Sequence, residues 1–502
     1  MTSAAFSGGR VTRAFASSLL AQIIGVAQTY LLVPLYLAAW GGETYGRWLA
    51  LTALTSYLGL IDLGGQVYIG NHLAVAYAQQ RHTDFVTLLR RGFSVFALLG
   101  LGVWVVVLAV LLTPLTSWSF SEKLVVFFTA SNVVLAVPGG VLVSCYAATG
   151  RVTRGAMVGN ITRLVGLALY LVALSLKLDI ARYAALYLLS GVLGTLGAII
   201  DLRRQLPELF RPRFSPALLH DAWPLVRSSL PFWVFALSGA LSVQGVVSIL
   251  SVTTDGATVA AYSTHRAAAS LILYAGLLLR TALWTELTFL AARSDFSRIR
   301  QVVSLAVRSN TWVAAVAGSG ICLAAPFGYA LWTRSKLTLD VPLLVIFATQ
   351  AVLASGWSTA AWPLMSANQP RALTRWTLLN GMLTVGGGYV CLRLGGGLRA
   401  LAAWSLAVDV VCGLIPFPLA ASSFMGGSVR AFARDMLRAI ACALPFALLA
   451  LGSLALVADN RARLIAFVGG AAILAWPSVW LLYGTADLQR MRRSLLRAPP
   501  EP

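Results

Sequence analysis

The sequence predicts an all-α integral membrane protein with about fourteen transmembrane helices, and three features of the chain support that prediction. Apolar stretches long enough to cross a hydrocarbon core of about 30 Å fill the chain almost end to end. The composition is 58% hydrophobic and only 11% charged, with a mean hydropathy of +0.80, which suits a chain whose solvent is mostly lipid. The loops between the stretches alternate between arginine-rich and arginine-poor.

The apolar stretches follow one another with short loops between them. The first begins after Arg10 and Arg13 and continues past Tyr30, which is too long for a signal-peptide core, so we predict a retained first helix. In order, and with several residues of slack at each end, the fourteen stretches lie near 14–39, 47–75, 93–113, 124–148, 156–176, 180–200, 226–252, 257–290, 303–328, 340–364, 375–394, 398–422, 436–457 and 463–484.

The charge distribution predicts the orientation of the chain. Lys and Arg total 38 against 17 Asp and Glu, a formal net charge of +21. On a soluble protein such an excess would suggest a nucleic-acid partner, but here the basic residues concentrate in every second loop, as the positive-inside rule requires. We therefore predict that both termini are cytoplasmic in a bacterial inner membrane. The partner of the excess charge is then anionic lipid, at about 1 kcal/mol per basic group near the surface.

The cysteines indicate neither a disulfide framework nor a metal site. All of them fall inside apolar segments, where cysteine behaves as a small apolar residue. No metal and no cofactor are therefore predicted. The residues are Cys145, Cys322, Cys391, Cys412 and Cys442.

The longest loop predicts a division into two lobes. It runs from Asp201 to Pro224 and contains a charge cluster and prolines, which is typical of a connector. Loop motifs repeat weakly on its two sides, Arg81-His82-Thr83-Asp84-Phe85 and Arg293-Ser294-Asp295-Phe296, and transporters are often built from such repeats. We predict two six-helix lobes in a V-shaped transporter arrangement plus two C-terminal helices. The boundaries are 1–200 for the N-terminal lobe (helices 1–6), 201–224 for the cytoplasmic connector, 225–425 for the C-terminal lobe (helices 7–12), and 426–502 for helices 13–14 with a basic tail.

A few charged residues remain inside or near apolar helices once the loops are accounted for. Such a charge costs about 2.5–3.5 kcal/mol at the centre of the membrane, so it usually faces a cavity or a partner and marks a functional site. The alternative is snorkelling of the side chain to the headgroups. The basic residues are Arg163, Arg266 and Arg280, and the acidic residues are Asp62, Glu286 and Asp409.

The arginines predict an anion-binding cavity. Arg266 and Arg280 lie fourteen residues apart, which is close to four helical turns and places them on one face about 21 Å apart. Arg163 follows Asn160 by about one turn, so it can add a polar patch in the first lobe. Guanidinium groups bind phosphate through two parallel hydrogen bonds, so a diphosphate fits this cavity better than a neutral or cationic solute. The alternatives for Arg280 are snorkelling and pairing with Glu286.

Asp62 is a lone carboxylate in a glycine-flanked part of predicted helix 2, within Gly59-Leu60-Ile61-Asp62-Leu63-Gly64-Gly65. Two roles are open: structural pairing with an arginine such as Arg163, or binding of a coupling cation. Desolvation would raise its pKa and a nearby guanidinium would lower it, so both protonation states stay open. Glu286 and Asp409 are candidates for the same two roles.

Several motifs carry a family resemblance. The N-terminal third contains Pro34, Trp40-Gly41-Gly42-Glu43-Thr44-Tyr45-Gly46-Arg47-Trp48, Tyr57-Leu58-Gly59-Leu60-Ile61-Asp62-Leu63-Gly64 and Asn71-His72-Leu73-Ala74. These motifs resemble the start of the polysaccharide (O-antigen repeat-unit) flippases, a family of the multidrug/oligosaccharidyl-lipid/polysaccharide exporter superfamily. In the second lobe Leu283-Trp284-Thr285-Glu286-Leu287 is similar to the family pattern, except that Thr285 stands where a proline is common.

The resemblance implies a function. Members of the superfamily have twelve or fourteen helices in two lobes. The implied substrate is an undecaprenyl-diphosphate-linked oligosaccharide repeat unit, moved across the inner membrane by alternating access for lipopolysaccharide and other surface polysaccharide biosynthesis. The arginines would hold the diphosphate, and an ion gradient would supply the energy, since the chain has no glycine-rich phosphate-binding loop for nucleotide hydrolysis. A polysaccharide polymerase and chain-length machinery are candidate partners.

Three other functions fit parts of the same pattern. A peptidoglycan-precursor flippase fits the same physical features, and only the family motif favours the repeat-unit exporter. A multidrug/cation antiporter of the same superfamily would favour a carboxylate-lined cavity, whereas arginines dominate here. A membrane-embedded polymerase or glycosyltransferase usually needs a sizeable extracytoplasmic loop or a carboxylate-rich catalytic cluster, and the sequence has neither, so we predict a transporter and not an enzyme.

Overall fold

The computed structural model describes residues 8–62, 65–113, 117–214, 233–234, 236–367 and 371–496. Within these residues the regular structure is helical, without strands, which confirms the all-α prediction. The chain divides into two compact units, Met1–Ala260 and Ala261–Pro502.

The first unit contains seven described α-helices. A 3-10 segment, Tyr57–Asp62, precedes the second helix, and a π-helical turn, Leu241–Gly245, precedes the seventh. The helices are α1 (Gly8–Ser56), α2 (Gly65–Ala78), α3 (His82–Leu112), α4 (Phe120–Ala148), α5 (Val152–Ser175), α6 (Ile180–Gln205) and α7 (Val246–Thr253).

The long helix α1 is two helices joined at a glycine. Gly41 has φ 73° and ψ 177° inside the helical stretch, a backbone conformation that only glycine adopts readily. The chain therefore ends its first helix at this glycine and starts a second. The second helix is interrupted again by the 3-10 segment before α2 continues. The sequence predicts two separate apolar stretches here, 14–39 and 47–75. The structure shows in addition where the helices are interrupted, at Gly41 and at the 3-10 segment Tyr57–Asp62.

The core of the first unit forms around α4, which packs against α2, α3 and α6. Phe85, Leu89 and Phe96 of α3 and Val141 and Cys145 of α4 are all fully or almost fully buried there. The chain after α6 contributes to the same core, since Leu206, Leu209 and Phe210 join the cluster. The start of the predicted connector is thus anchored on the first unit.

The second unit contains the rest of the helices. Its first helix, α8, begins within the first unit and continues into the second. A π-helical turn, Val410–Leu414, separates the fifth and sixth of these helices. They are α8 (Gly256–Ala292), α9 (Phe296–Trp332), α10 (Val341–Ser366), α11 (Arg371–Arg393), α12 (Leu398–Asp409), α13 (Pro416–Met425), α14 (Val429–Leu456) and α15 (Asn460–Leu496).

Among the described residues, eleven helices are long and apolar enough to cross a membrane. Predicted helices 1 and 2 fall together in one such stretch, Leu20–Leu60. The predicted final pair corresponds to α14 and α15, which pack against each other and against α9.

The structure places predicted helix 7 differently from the sequence-based division. Its residues Leu241–Thr253 pack on α1 and belong to the first unit, whose boundary lies at Ala260. The sequence predicts this helix in the C-terminal lobe because it follows the connector. The second half of that connector, residues 215–224, lies outside the described residues.

Candidate functional site

Asp409, one of the predicted intramembrane acids, is surrounded by neutral amide donors. It is the last residue of α12. Gln350 of α10 donates from Nε2 to Oδ2 at 2.6 Å, and Asn380 of α11 donates from Nδ2 to Oδ1 at 2.7 Å. Both carboxylate oxygens are therefore satisfied, which removes much of the cost of placing this group in an apolar segment.

The backbone next to Asp409 is irregular. The π-helical turn Val410–Leu414 follows it directly, and such turns inside helices are frequently found at functional sites. The turn separates α12 from α13, so Asp409 lies where the helix loses its regular hydrogen-bond register.

Arg266 of α8 belongs to the same site. Its guanidinium interacts electrostatically with Asp409 and with Tyr262, one turn earlier on α8. Tyr262 is 1% exposed and hydrogen-bonds Ser405, one turn before Asp409. We define the Asp409 cluster as Tyr262, Arg266, Gln350, Asn380 and Asp409. It brings together two of the six charged residues that the sequence singled out.

In the Asp409 cluster, the hydrogen bonds of the carboxylate do not come from the arginine beside it. Gln350 and Asn380 keep Asp409 hydrogen-bonded whether or not the guanidinium of Arg266 stays beside it. Arg266 can therefore exchange a protein carboxylate for an external anion without leaving a buried acid unsatisfied. The arrangement is suited to reversible anion binding coupled to the charge of Asp409.

Arg163 lies in the first unit. Its NH1 donates to the carbonyl oxygen of Ala21 at 3.0 Å, so the side chain ties α5 to α1. The residue is exposed. The side chain of Asp62, its proposed partner, lies outside the described residues; the backbone of Asp62 ends the 3-10 segment.

Arg280 lies on α8 with Arg266, as the sequence predicts, and it is exposed. The side chain of Glu286, the alternative partner of Arg280, lies outside the described residues. The structure therefore brings Arg266 and Asp409 together within the second unit, whereas Arg163 lies in the first unit.

Sequence reasoning missed the buried ion pair of the second unit. Arg308 Nε lies 2.8 Å from Asp435 Oδ1, with side-chain exposures of 13% and 6%. Ser304 donates to the other carboxylate oxygen at 2.5 Å. Arg308 lies near the start of a predicted helix and nothing in the local sequence indicates its burial, whereas the structure packs it between α9 and α14.

A second missed network surrounds His265, the neighbour of Arg266. Its Nε2 accepts the backbone N–H of Asp340 at 2.9 Å, and Tyr329 Oη lies 3.1 Å from its Nδ1. Arg399 donates to the carboxylate of Asp340 at 2.9 Å. Burial alone would raise the pKa of Asp340, but the hydrogen bonds from Arg399 and from the backbone of Leu343 outweigh it and hold that pKa below its usual range. The network fastens α8 to the start of α10.

The start of α8 meets the turn at Gly41. Glu43 Oε2 accepts the backbone N–H of Ala257 at 3.0 Å. A Cβ atom at Gly46 would lie 1.7 Å from the carbonyl oxygen of Gly256, so the two backbones touch. Asp255 caps α8, and hydrogen bonds from the side chain and backbone of Thr258 hold the pKa of its carboxyl below the usual range. By the predicted orientation this contact is extracytoplasmic.

Neither a protein-family model nor a curated protein sequence matches the chain. Solved structures do match it over most of its length. The lipid II flippase MurJ in an inward closed conformation superposes with a TM-score of 0.69 and 11% identity, over 96% of this chain and 99% of MurJ. The chain has a transporter fold. An inward-facing multidrug resistance transporter of the MATE family, in the MOP superfamily, has a TM-score of 0.61 and 15% identity, over 80% of this chain and 96% of its own.

A MOP superfamily transporter from Pyrococcus furiosus is also similar, with a TM-score of 0.58 and 14% identity over 83% of this chain and 95% of its own. At these identities the likeness is one of fold. These neighbours are flippases and transporters.

Proposed function

We propose that this chain is a flippase that moves undecaprenyl-diphosphate-linked oligosaccharide repeat units from the cytoplasmic to the extracytoplasmic leaflet by alternating access. The observation that carries the proposal is Arg266, a half-buried guanidinium in an apolar helix beside Asp409. A diphosphate presents pairs of phosphate oxygens that the planar guanidinium binds through two parallel hydrogen bonds.

The Asp409 cluster supports a transport cycle and not a permanent ion pair. The diphosphate would replace Asp409 as the partner of Arg266, while Gln350 and Asn380 keep the carboxylate satisfied. A proton taken up by Asp409 would neutralise the carboxylate, weaken its hold on Arg266 and favour diphosphate binding. We therefore propose Asp409 as a coupling residue, with Asp62 and Glu286 as the other candidates for coupling or pairing.

The contact between Glu43 and Ala257 supports alternating access. It consists of one hydrogen bond and a close glycine contact, and a single hydrogen bond contributes only about 0.5–1.5 kcal/mol net. Such a contact can open and close during a transport cycle. We propose that this contact within the first unit opens and reforms during the transport cycle.

The remaining predicted arginines extend the proposed substrate path. Arg163 would contribute from the first unit by leaving the carbonyl of Ala21, and Arg280 from the other end of α8. Both termini would lie in the cytoplasm of a bacterium, with anionic lipid against the basic loops. A polysaccharide polymerase and chain-length machinery would take the flipped unit for O-antigen assembly.

A peptidoglycan-precursor flippase is the second candidate, because the lipid II flippase superposes over 96% of this chain. The two substrates share the polyprenyl diphosphate and differ in the sugars. A cation antiporter is less consistent with the site, since the half-buried arginine beside Asp409 would repel a cation.

Transport of defined probes in vesicles tests the proposal and separates the candidates. Purified protein is reconstituted with a fluorescent undecaprenyl-diphosphate tetrasaccharide, with fluorescent lipid II, or with a cationic dye. We expect the tetrasaccharide to reach the opposite leaflet fastest. Preferential movement of lipid II would favour the second candidate, and transport of the dye alone would overturn both flippase proposals.

A further inference from the structure

The first unit carries an open groove of about 330 Å³ between α5 and α6. Its walls are apolar side chains that stay exposed in the folded chain, among them Ile161, Val165, Leu193 and Ile200. In a membrane-spanning pair of helices such a groove faces lipid, so its natural occupant is a hydrocarbon chain.

Two glycines of α6 explain the shape of the groove. A Cβ atom at Gly194 would lie 2.2 Å from Cγ2 of Thr162, so this glycine lets α5 and α6 approach closely. A Cβ atom at Gly197 would meet nothing within 4 Å. Gly197 therefore lies at the base of the groove, where an added side chain would fill the groove without disturbing the packing of α5 on α6.

One end of the groove is polar. Asp201 lies there, and Arg154 donates to both of its carboxylate oxygens, at 2.6 Å from NH2 and 2.9 Å from Nε. Tyr146 donates to the same carboxylate at 2.7 Å. Because the charge of Asp201 is neutralised by Arg154, the additional guanidinium of Arg204, which also lines the groove, gives this end a positive charge.

The length of the groove corresponds to one leaflet. Its lining on α6 runs from Leu193 to Arg204, which at 1.5 Å per residue is about 16 Å. Half of a hydrocarbon core is about 15 Å thick. By the predicted orientation Arg204 lies at the cytoplasmic end, so the groove extends from the cytoplasmic headgroups to about the middle of the membrane.

We propose that this groove binds one acyl chain of an anionic phospholipid of the cytoplasmic leaflet, with its phosphate held by Arg204. The apolar walls fit the chain, the length fits one leaflet, and the charge of Arg204 is complementary to the headgroup. This inference does not depend on the proposed transport function.

Native mass spectrometry of the detergent-purified chain with added phosphatidylglycerol tests the proposal. Gly197→Leu fills the floor of the groove. Gly159→Leu is the matched control, because Gly159 is an exposed glycine of α5 whose Cβ would also meet nothing within 4 Å and which does not line the groove. Arg204→Gln removes the headgroup contact, with the exposed neighbour Arg203→Gln as its control.

We expect Gly197→Leu to retain one phospholipid fewer than the wild type and Gly159→Leu to retain the wild-type number. Arg204→Gln should lose the preference for phosphatidylglycerol over phosphatidylcholine, and Arg203→Gln should keep it. An unchanged lipid count in a folded Gly197→Leu variant would overturn the proposal. Displacement of the bound lipid by undecaprenyl phosphate at equal concentration would also overturn it, by making the groove a polyprenyl site.

Discussion

The carboxylate of Glu43 accepts a 3.0 Å hydrogen bond from the backbone N–H of Ala257, which joins the turn at Gly41 to the first residues of α8. Glu43 also lies 3.2 Å from Arg47, so its carboxylate is held from two sides. The contact needs Gly46 and Gly256, because their backbones approach too closely for any side chain. We call the contact of Glu43 and Gly46 with Gly256 and Ala257 the glycine latch.

Substituting Gly46 by alanine should open the glycine latch, since the new Cβ would overlap the carbonyl of Gly256. In a cysteine-free background, Ser251→Cys on α7 should then react faster with an impermeant maleimide added to intact cells. Gly25→Ala is the control, because a Cβ there meets nothing within 4 Å. Equal labelling of the Gly46→Ala and Gly25→Ala proteins would remove the latch from the account.

The buried pair of Arg308 and Asp435 should be a major source of stability in the second unit. Asp435→Asn leaves a buried guanidinium without its charge partner, and breaking a buried pair costs about 3–5 kcal/mol. We expect a clearly lower melting temperature in detergent. The double variant Arg308→Met with Asp435→Leu should recover most of the loss, because both charges are then absent.

The exposed ion pair of Arg399 and Asp340 is the control for the stability contribution of the buried pair. Arg399 is 63% exposed, and an exposed pair contributes about 0–1 kcal/mol. Arg399→Gln should therefore melt close to the wild type. If Asp435→Asn also melted close to the wild type, the pair of Arg308 and Asp435 would have no structural role.

Asp409 should be needed for coupling more than for folding. Asp409→Asn keeps the size of the side chain and removes the charge beside Arg266, so substrate movement should no longer respond to an imposed proton or sodium gradient. Protein abundance should stay near normal, since the new amide oxygen can accept from one of Gln350 and Asn380, and the other can turn its own amide oxygen toward the new NH2 group. Wild-type response to both gradients in Asp409→Asn vesicles would exclude Asp409 from coupling.

Two roles are proposed for Asp62, structural pairing with Arg163 and ion coupling, and a double substitution distinguishes them. If it pairs with Arg163, Asp62→Asn should lower abundance, and Asp62→Asn with Arg163→Gln should restore it. If it couples ions, abundance should be normal in both proteins while gradient-driven transport fails in both. Normal abundance together with normal gradient-driven transport by Asp62→Asn would eliminate both roles.

Hydropathy predicts the helices well because lipid requires every spanning backbone to satisfy its own hydrogen bonds. The local breaks are less visible: Gly41 is one of many glycines, and only its φ of 73° shows where the first helix ends. The partners of Asp409 are invisible to sequence reasoning, because Gln350 and Asn380 come from two other helices. The burial of Arg308 is invisible for the same reason, since it depends on Asp435, far away in the chain.

The central claim is that Arg266 binds the diphosphate of a lipid-linked substrate. Its most direct test is the initial rate at which a fluorescent undecaprenyl-diphosphate tetrasaccharide crosses vesicles that contain equal amounts of wild type, Arg266→Ala, Arg266→Lys or the loop control Arg334→Ala. The account predicts no transport by Arg266→Ala and a normal rate for Arg334→Ala. Arg266→Lys should transport in part, because an ammonium keeps the positive charge but cannot form the two parallel hydrogen bonds of a guanidinium. Transport by Arg266→Ala at the wild-type rate would contradict it.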